Sequence, residues 1–289
     1  MKAAPFAYLQ PDTVAEALAA LAQHGDDARV IAGGQSLGAM LNMRIVTPKF
    51  LIDINRLPDL SGITLESGNL VTGAMVRQSD AMADTRVRDN VSLLAQALPH
   101  VGHYQTRNRG TLGGSVAHAD PSAEIPLSLA TLGGEIELRS KRARRRIKAR
   151  DFLQSALVTA REPDELVTAL YWPVRRPGQG QGFIEFAIRE GDYAIVAVAC
   201  VIDIDVDGNV GAVLLGFGGC GEVPQFVAVN DLAHTRLDES AIQSIAHDAA
   251  GRIECRADLL ATAPYRRQLA SVLAGKAIVS AYSKRQAYA

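Results

Sequence analysis

The chain has 289 residues, and 48% of them are hydrophobic, which is enough to bury a core in two or three lobes. A formal net charge of −1 argues against a protein built as a whole to hold nucleic acid. No apolar stretch approaches the roughly 20 residues that cross a bilayer, and the N-terminus lacks the apolar region of a secretory signal. Cys200, Cys220 and Cys255 match neither a disulfide framework nor an iron–sulfur or zinc spacing. We therefore expect a protein of the reducing cytoplasm without a metal site.

The first 55 residues have the pattern of a small α/β lobe. Thr13 and Glu16 fit a capping box that starts an amphipathic helix. Short buried strands are predicted over 29–32 and 50–54, and Ser36 can cap a second helix between them.

The remaining chain reads as further sheet and helix. The elements predicted before residue 139 are strands over 62–65, 70–73 and 135–138 and helices over 79–83, 91–98 and 123–132. The run 177–182, which alternates glycine with glutamine after Pro177, predicts a linker. Beyond it we predict strands over 183–187, 195–204 and 210–217, a hairpin turn at 207–209, and helices from about Asp238.

Two glycine turns about eighty residues apart are the most informative feature of the sequence. Residues 32–37 read AGGQSL and residues 111–115 read TLGGS; each turn follows a short apolar run and precedes residues that can start a helix. Glycine lets a phosphate approach the backbone, and successive N–H groups then form an anion-binding nest. One such turn alone is commonly an ordinary tight turn. Two turns with the same order of strand, glycine pair, hydroxyl residue and helix predict that a pyrophosphate is bound from both sides. They therefore predict a dinucleotide cofactor.

A third glycine run is a false match to the dinucleotide fingerprint. Residues 216–221 fit G-x-G-x-x-G, but the fingerprint requires a helix immediately afterwards. Pro224 and the residue before it resist a helix there. We interpret this run as a glycine-rich turn, and no Walker A lysine pattern occurs elsewhere.

The stretch 101–124, VGHYQTRNRGTLGGSVAHADPSAE, together with AGGQSL at 32–37, closely resembles the flavin subunit of the molybdenum hydroxylases. The resemblance covers nearly the whole chain. It implies an α+β fold with a two-lobed FAD-binding region (the PCMH-type flavoprotein fold), followed by a C-terminal domain of sheet and helices. The corresponding domains are 1–55, 56–176 and 177–289.

In this family FAD lies between the two N-terminal lobes. The cofactor-binding residues that the resemblance implies are Ile31, Ala32, Gly33, Gly34, Gln35, Ser36, Leu37, Val101, Thr111, Leu112, Gly113, Gly114, Ser115, Asp120, Glu124, Leu166 and Tyr193. The two turns would cradle the pyrophosphate. Many relatives carry Asn in place of Ser115 and His in place of Gln35, and both replacements keep a polar group.

The other implied contacts have plainer alternatives. Asp120 and Glu124 would lie near the ribityl and phosphate portion, although acids at this position also start helices. Leu166 would lie beside the adenine, or simply in the core of a strand. Tyr193 would cover or gate a face of the isoalloxazine ring, near the loop that begins at Val101, although such a tyrosine is more often a packing residue.

No catalytic residue of its own stands out in the chain. His100, His103 and His118 surround the second glycine turn without a metal spacing. By resemblance, a large partner with a molybdenum pterin cofactor oxidises the substrate, and a small partner with two [2Fe–2S] clusters carries electrons to the FAD of this chain. The FAD then passes them to an external acceptor, in a dimer of heterotrimers. A self-sufficient flavoprotein oxidase and a non-catalytic adaptor remain alternatives, and carbon monoxide, purines, nicotine-like pyridines and other N-heterocycles remain open as substrates.

The segment 139–150 is strongly basic. Eight of its twelve residues are Lys or Arg: Arg139, Lys141, Arg142, Arg144, Arg145, Arg146, Lys148 and Arg150. Nucleic acid is one interpretation. A solvated hairpin turn or a docking surface is the other, and it agrees better with the balanced total charge.

Overall fold

A computed structural model describes residues 2–230, 232 and 237–284 of the chain. The N-terminal lobe is a three-stranded parallel sheet in the order β1-β3-β2 with two helices. Its elements are β1 (Ala7–Leu9), α1 (Val14–His24), β2 (Ala28–Ile31), α2 (Leu37–Asn42) and β3 (Phe50–Asp53).

Helix α1 forms as the sequence predicts, and its apolar stripe packs into the core of this lobe. The Thr13 hydroxyl accepts a hydrogen bond from the Glu16 amide at 3.1 Å, which caps the helix. The predicted cap of α2 is wrong: the side chain of Ser36 makes no capping hydrogen bond. Its backbone is already helical (φ −94°, ψ −52°), whereas a capping residue needs an extended backbone to fold its side chain over the helix end.

The second lobe is a five-stranded antiparallel sheet in the order β4-β5-β10-β6-β7, covered on one face by helices. Its elements are β4 (Ile63–Glu66), β5 (Asn69–Gly73), α3 (Gln78–Ala83), α4 (Thr85–Asn90), α5 (Ser92–Ala97), α6 (Tyr104–Arg109), α7 (Leu112–His118), α8 (Glu124–Thr131), β6 (Glu135–Arg139), β7 (Arg144–Lys148), α9 (Ala149–Phe152), the small pair β8 (Leu153–Ser155) and β9 (Val158–Thr159), and β10 (Leu166–Pro173). The predicted strands and helices before residue 139 are confirmed. The sequence pattern does not delimit β7 to β10: four of the five residues of β7 are charged, and β8 and β9 have only three and two residues. The alternative of a strand core for Leu166 is the one pointer to β10.

The C-terminal part is a four-stranded antiparallel sheet packed on two helices. Its elements are β11 (Gln179–Phe186), β12 (Val196–Ile204), β13 (Val210–Gly218), β14 (Gln225–Val229), α10 (Glu239–Gly251) and α11 (Ala263–Ser283). The hairpin turn at 207–209 and the start of the helical region near Asp238 are as predicted, and the Asp238 side chain caps α10. The glycine run at 216–221 ends β13 and turns at Gly219 (φ +77°) with no helix after it, which confirms its interpretation as a turn.

The predicted linker at 177–182 is wrong, because residues 179–182 form the buried first half of β11. A Cβ on Gly180 would lie 2.1 Å from the carbonyl oxygen of Ala281, and a Cβ on Gly182 would lie 2.4 Å from that of Ala277. The glycines therefore let the backbone of α11 pack directly on the strand. Their role is close packing rather than flexibility.

Strand β11 also ties the C-terminal sheet to the second lobe. The Gln181 side-chain oxygen accepts hydrogen bonds from the Ser92 hydroxyl at 3.0 Å and the Leu93 amide at 2.8 Å. One buried cluster mixes Leu93 and Leu127 with Phe183 and Ala197. Among the described residues, no helix is long and apolar enough to cross a membrane.

Candidate functional site

The two glycine turns meet in the structure. A Cβ on Gly33 would lie 2.2 Å from the carbonyl oxygen of Arg109 and 2.8 Å from the Cα of Gly110, so the first turn touches the backbone that leads into the second. A Cβ on Gly114 in the second turn would lie 3.8 Å from the Cβ of Ala32. Main-chain atoms can approach this closely only where a side chain is missing. The prediction that the turns share one cleft is confirmed.

A cavity of about 670 Å³ opens beside this contact, between the two N-terminal lobes. Its size falls in the range of about 300–1,000 Å³ that is typical of small-molecule and cofactor sites. All of the predicted cofactor-binding residues line it except Ile31 and Leu112. The side chain of Ile31 packs beneath Gly34, and Leu112 is fully buried, so both support the wall without forming it.

The first turn presents a row of free donors. Within the part of the chain that the structure describes, the amides of Gly33, Gly34, Gln35 and Ser36 donate no hydrogen bond to another protein group. Gly34 has a left-handed backbone (φ +72°), which turns successive N–H groups toward one side. Four adjacent donors at a cavity wall form a site for an anion.

The second turn does not present a matching row, and this corrects the expectation of amides on both sides. The Leu112 amide donates to the Val76 carbonyl, the Gly113 amide to the Ala74 carbonyl at 2.9 Å, and the Gly114 amide to the Thr111 hydroxyl at 3.0 Å. These bonds anchor the turn to the residues just after β5 and cap α7. The turn therefore offers the Ser115 hydroxyl and a bare glycine surface.

A clamp of two side chains holds the turns together, and sequence reasoning missed it. The Asn55 amide group donates to the Ala32 carbonyl at 2.7 Å and accepts from the Arg77 guanidinium at 2.7 Å. Arg77 also donates to the Arg109 carbonyl. Asn55 and Arg77 thus link the start of the first turn to the residues that precede the second.

Asp53 holds Asn55 of this clamp in position. One of its carboxylate oxygens accepts hydrogen bonds from the backbone N–H of Asn55 at 2.8 Å and from the side-chain nitrogen of Asn55 at 2.6 Å. The other oxygen accepts a hydrogen bond from the Tyr8 hydroxyl. Burial by itself would raise the pKa of Asp53, but these hydrogen bonds outweigh it and lower the pKa. A signal existed in the sequence: Asp53 ends one of two parallel strands, whose carboxyl ends form an edge at which ligands bind.

Two carboxyl groups, of Asp120 and Glu124, also line the cavity. Asp120 accepts a hydrogen bond from the Ser122 amide at 2.8 Å, and Glu124 is buried. Burial raises the pKa of Glu124 to about 7, and burial next to Glu124 raises the pKa of Glu185 to about 8. Glu185, which the sequence did not single out, directs one oxygen into the interior with no partner among the described residues.

Tyr193 lines the cavity from the C-terminal part of the chain and is 62% exposed. A Cβ on the neighbouring Gly191 would lie 2.5 Å from the His103 ring, so the Tyr193 loop lies directly on the segment that begins at Val101. Burial, together with Asp120 and Glu124, raises the pKa of Tyr193, while burial lowers the pKa of His118. No cluster of three or more metal-ligating side chains occurs within the described ranges.

Comparison with known proteins places this cavity in a family. Residues 4–175 match the FAD-binding domain in molybdopterin dehydrogenase, and residues 181–281 match the C-terminal domain of the carbon monoxide dehydrogenase flavoprotein. This chain belongs to the FAD-binding medium subunits of the molybdenum hydroxylase family. FAD is therefore its cofactor, and the family's complexes are oxidoreductases.

The relatives match along almost their full length. Subunit alpha of the 6-hydroxypseudooxynicotine dehydrogenase complex of Paenarthrobacter nicotinovorans is 35% identical, over 97% of this chain and 96% of the relative. The carbon monoxide dehydrogenase medium chain of Afipia carboxidovorans is 31% identical, over 96% of this chain and 97% of the relative. The structure of quinoline 2-oxidoreductase from Pseudomonas putida 86 superposes with a TM-score of 0.93 at 35% identity, covering 98% of this chain and 99% of that one.

The residues at the cavity fit FAD. Bare backbone and four free amides suit a diphosphate, which brings negative charge and acceptor oxygens. The carboxyl groups of Asp120 and Glu124 can bond the hydroxyls of a sugar alcohol, and apolar Leu166 and Val101 lie on the cavity wall for ring systems.

Proposed function

We propose that this chain is the electron-transfer subunit of a molybdenum hydroxylase complex. In this proposal FAD receives electrons from the [2Fe–2S] clusters of a partner subunit and passes them to an external acceptor. The observation that carries the proposal is one cavity lined by both glycine turns, in a chain of the FAD-binding family. FAD supplies the chemistry, because it takes up electrons one or two at a time.

The chain's own residues bind and orient the cofactor. The amides of residues 33–36 would hold the diphosphate from one side, while Ser115 and the surface of Gly114 would approach it from the other. Asp120 and Glu124 would bond the ribityl hydroxyls. Leu166 would pack beside the adenine, and Val101 and Tyr193 would flank the isoalloxazine ring and exclude water from it.

The division of labour among domains and subunits is part of the proposal. Residues 1–55 and 56–176 would form the two FAD-binding lobes, and 177–289 a C-terminal domain that carries Tyr193 to the cavity. A large subunit with the molybdenum pterin cofactor would oxidise the substrate, and a small iron–sulfur subunit would deliver electrons, in a dimer of heterotrimers. This chain alone would then hydroxylate nothing.

The test compares the isolated chain with the assembled complex. The isolated chain should bind FAD and accept electrons from a chemical reductant, yet fail to oxidise N-heterocycles, purines or carbon monoxide. Co-expression with the large and small subunits of its complex should restore substrate oxidation. Substrate turnover by the isolated chain would indicate a self-sufficient oxidase instead, and a chain that cannot be loaded with FAD would indicate an adaptor.

A further inference from the structure

The basic segment 139–150, called the basic hairpin below, has no part in the FAD cavity, since none of its residues lines it. It comprises the last residue of β6, a turn, all of β7 and the start of α9. The prediction of a hairpin turn is confirmed: the Ser140 amide donates to the Ala143 carbonyl at 2.8 Å. Without the eight basic residues of this segment, the chain would carry 22 Lys and Arg against 31 Asp and Glu, a net charge of −9. Positive charge is therefore concentrated on one hairpin.

Two arginines of the hairpin bind carboxylates within the chain. Arg144 binds the Glu137 carboxylate at 2.7 Å, and Arg145 binds both oxygens of the Glu165 carboxylate, at 2.6 and 2.7 Å. Such pairing is the geometry by which guanidinium groups bind carboxylates. Of the other six cations, Arg146 and Arg150 lie over aromatic rings. The remaining four contact neither a ring nor a carboxylate within the described part of the chain: Arg139, Lys141, Arg142 and Lys148. They are available to acidic groups from outside.

The strand register places four of the cations on one face of the sheet, which they share with Glu135 and Glu137: Arg139, Arg144, Arg146 and Lys148. Arg139 lies opposite Arg144, and Lys148 lies opposite Glu135, so alternate residues of β7 point away from the buried side of the sheet. Arg146 belongs to the same face, with its guanidinium 3.6 Å from the centre of the Tyr171 ring. Glu137 neutralises Arg144, so Arg139 is the cation of this opposed pair that contacts no carboxylate among the described residues. An acidic segment lying across this face would supply one.

The edge of the sheet is also open at this point. Strand β7 is the last in the order β4-β5-β10-β6-β7, and no described strand pairs with its outer side. The N–H and C=O groups along such an edge can pair with an added strand. A peptide supplies both donors and acceptors to that edge, whereas the phosphates of a nucleic acid supply acceptors alone. The combination of a free edge with carboxylate-binding side chains favours a protein segment.

We propose that the basic hairpin is a docking surface for an acidic, extended segment of another protein. The segment would add to β7 as a sixth strand and place its carboxylates against Arg139, Lys141, Arg142 and Lys148. Charge concentrated on the hairpin would also steer the acidic partner to this side of the molecule. The inference concerns a surface outside the FAD cavity, so it does not depend on how the cavity works.

The experiment uses the full, FAD-loaded chain and a short peptide of alternating Glu and Val, with binding measured by calorimetry in low-salt buffer. The test variant is Lys141→Glu/Arg142→Glu/Lys148→Glu. The matched control is Lys49→Glu/Arg88→Glu/Lys276→Glu, which changes the net charge equally at exposed positions elsewhere. Unchanged FAD content shows that both variants fold.

We expect the peptide to bind the parent and the control with similar affinity and the test variant about tenfold more weakly or worse, since three exposed ion pairs are reversed. A peptide with central prolines should also bind more weakly, and the amides of β7 should gain protection from hydrogen exchange when the parent peptide binds.

Four results would overturn the proposal. If the peptide binds the test variant as tightly as the control, the basic hairpin is not its binding site. If the proline peptide binds as tightly as the parent peptide, binding does not occur by addition of a strand to β7. Tighter binding of an oligothymidylate of equal charge would make the surface a nucleic-acid site. If the peptide does not bind at all, the hairpin is not a docking surface, and its cations serve to keep the exposed edge of β7 from pairing with another copy of the chain.

Discussion

Gly33 shows how much depends on one missing side chain. Its Cα faces the carbonyl of Arg109, and the space that a methyl group would need is filled by backbone. Backbone, unlike the end of a flexible side chain, can yield only if the whole second turn moves. The geometry of the cavity therefore depends on glycine at this position.

We expect Gly33→Ala to lose FAD, because the added Cβ pushes the two turns apart; overpacking costs about 1–3 kcal/mol, or roughly a tenfold to hundredfold weaker affinity. The measurement is the flavin absorbance relative to protein after gel filtration. The control is Gly38→Ala in α2, where nothing lies within 4 Å of the added Cβ. Equal flavin retention in the two variants would contradict the role given to the turn contact.

The clamp of Asn55 and Arg77 should behave as one unit. Asn55→Ala and Arg77→Met are each expected to weaken FAD binding about tenfold, because either change frees the two turns from each other. The double variant should be little worse than either single one, since both remove the same link. Arg88→Met is the control, as Arg88 is exposed and pairs with Asp89 at 3.1 Å. Fully additive effects would show that the two side chains act separately.

Glu124 should make stability depend on pH in a direction unusual for a carboxyl group. Its pKa is about 7 in the folded chain against 4.5 as the ordinary value, so the folded state holds a proton that the unfolded state has released between these values. Ionising the buried Glu124 lowers the free energy of unfolding. This loss is absent below about pH 4.5, grows as the pH rises, and is complete above about pH 7, where it reaches on the order of 3 kcal/mol.

We expect Glu124→Gln to remove this loss of stability between pH 5 and pH 8, because glutamine carries no proton to release. The measurement is the free energy of urea unfolding of the FAD-free chain at both pH values. Glu66→Gln removes an exposed carboxylate outside the cavity and serves as the control. If the variant and the parent lose stability equally on raising the pH, the buried carboxyl does not titrate in this range.

Strand β11 and helix α11 illustrate packing at the level of elements. The glycines at 180 and 182 leave a groove in the strand, and the backbone of α11 fills it. The two elements are far apart in sequence, so the groove is not recognisable from the local pattern. A row of glycines has opposite meanings in a linker and in a strand under a helix, and the difference is what packs on it.

Gly182→Ala should destabilise the folded chain by about 1–3 kcal/mol, because the added methyl group separates the strand from the helix. Gly211→Ala in β13 is the matched control, since its added Cβ would meet nothing closer than 3.9 Å. Chemical denaturation measures both. A stable Gly182→Ala variant would mean that α11 can shift to accommodate the methyl group.

At the scale of the whole molecule, the C-terminal part shares a buried core with the second lobe. The cluster of Leu93, Ala97 and Leu127 is completed by residues of β11 and β12. The hydrogen bonds of Gln181 cross the same boundary, and Tyr193 reaches the cavity from this side.

A chain that ends at residue 176 is therefore expected to expose this cluster, bind a dye that reports apolar surface, and unfold without a cooperative transition. The full-length Tyr193→Ala variant is the comparison, because it alters the cavity lining while leaving the buried cluster covered. Cooperative unfolding of the truncated chain would show that the two N-terminal lobes are stable by themselves.

The sequence by itself determined the kind of cofactor and the place of the turns that meet around it, because glycine pairs, caps and apolar periodicity are local properties. It also determined that the run at 216–221 is a turn, since Pro224 excludes a helix beside it.

Only the tertiary structure decided which amides are free, that Asn55 and Arg77 clamp the turns, that Glu185 lies beside Glu124, and that residues 179–182 are strand. Each of these depends on partners distant in the chain, and hydrogen bonding, burial and close packing are set by such partners. Spacing along a sequence specifies where a group can be, whereas the fold specifies what it touches.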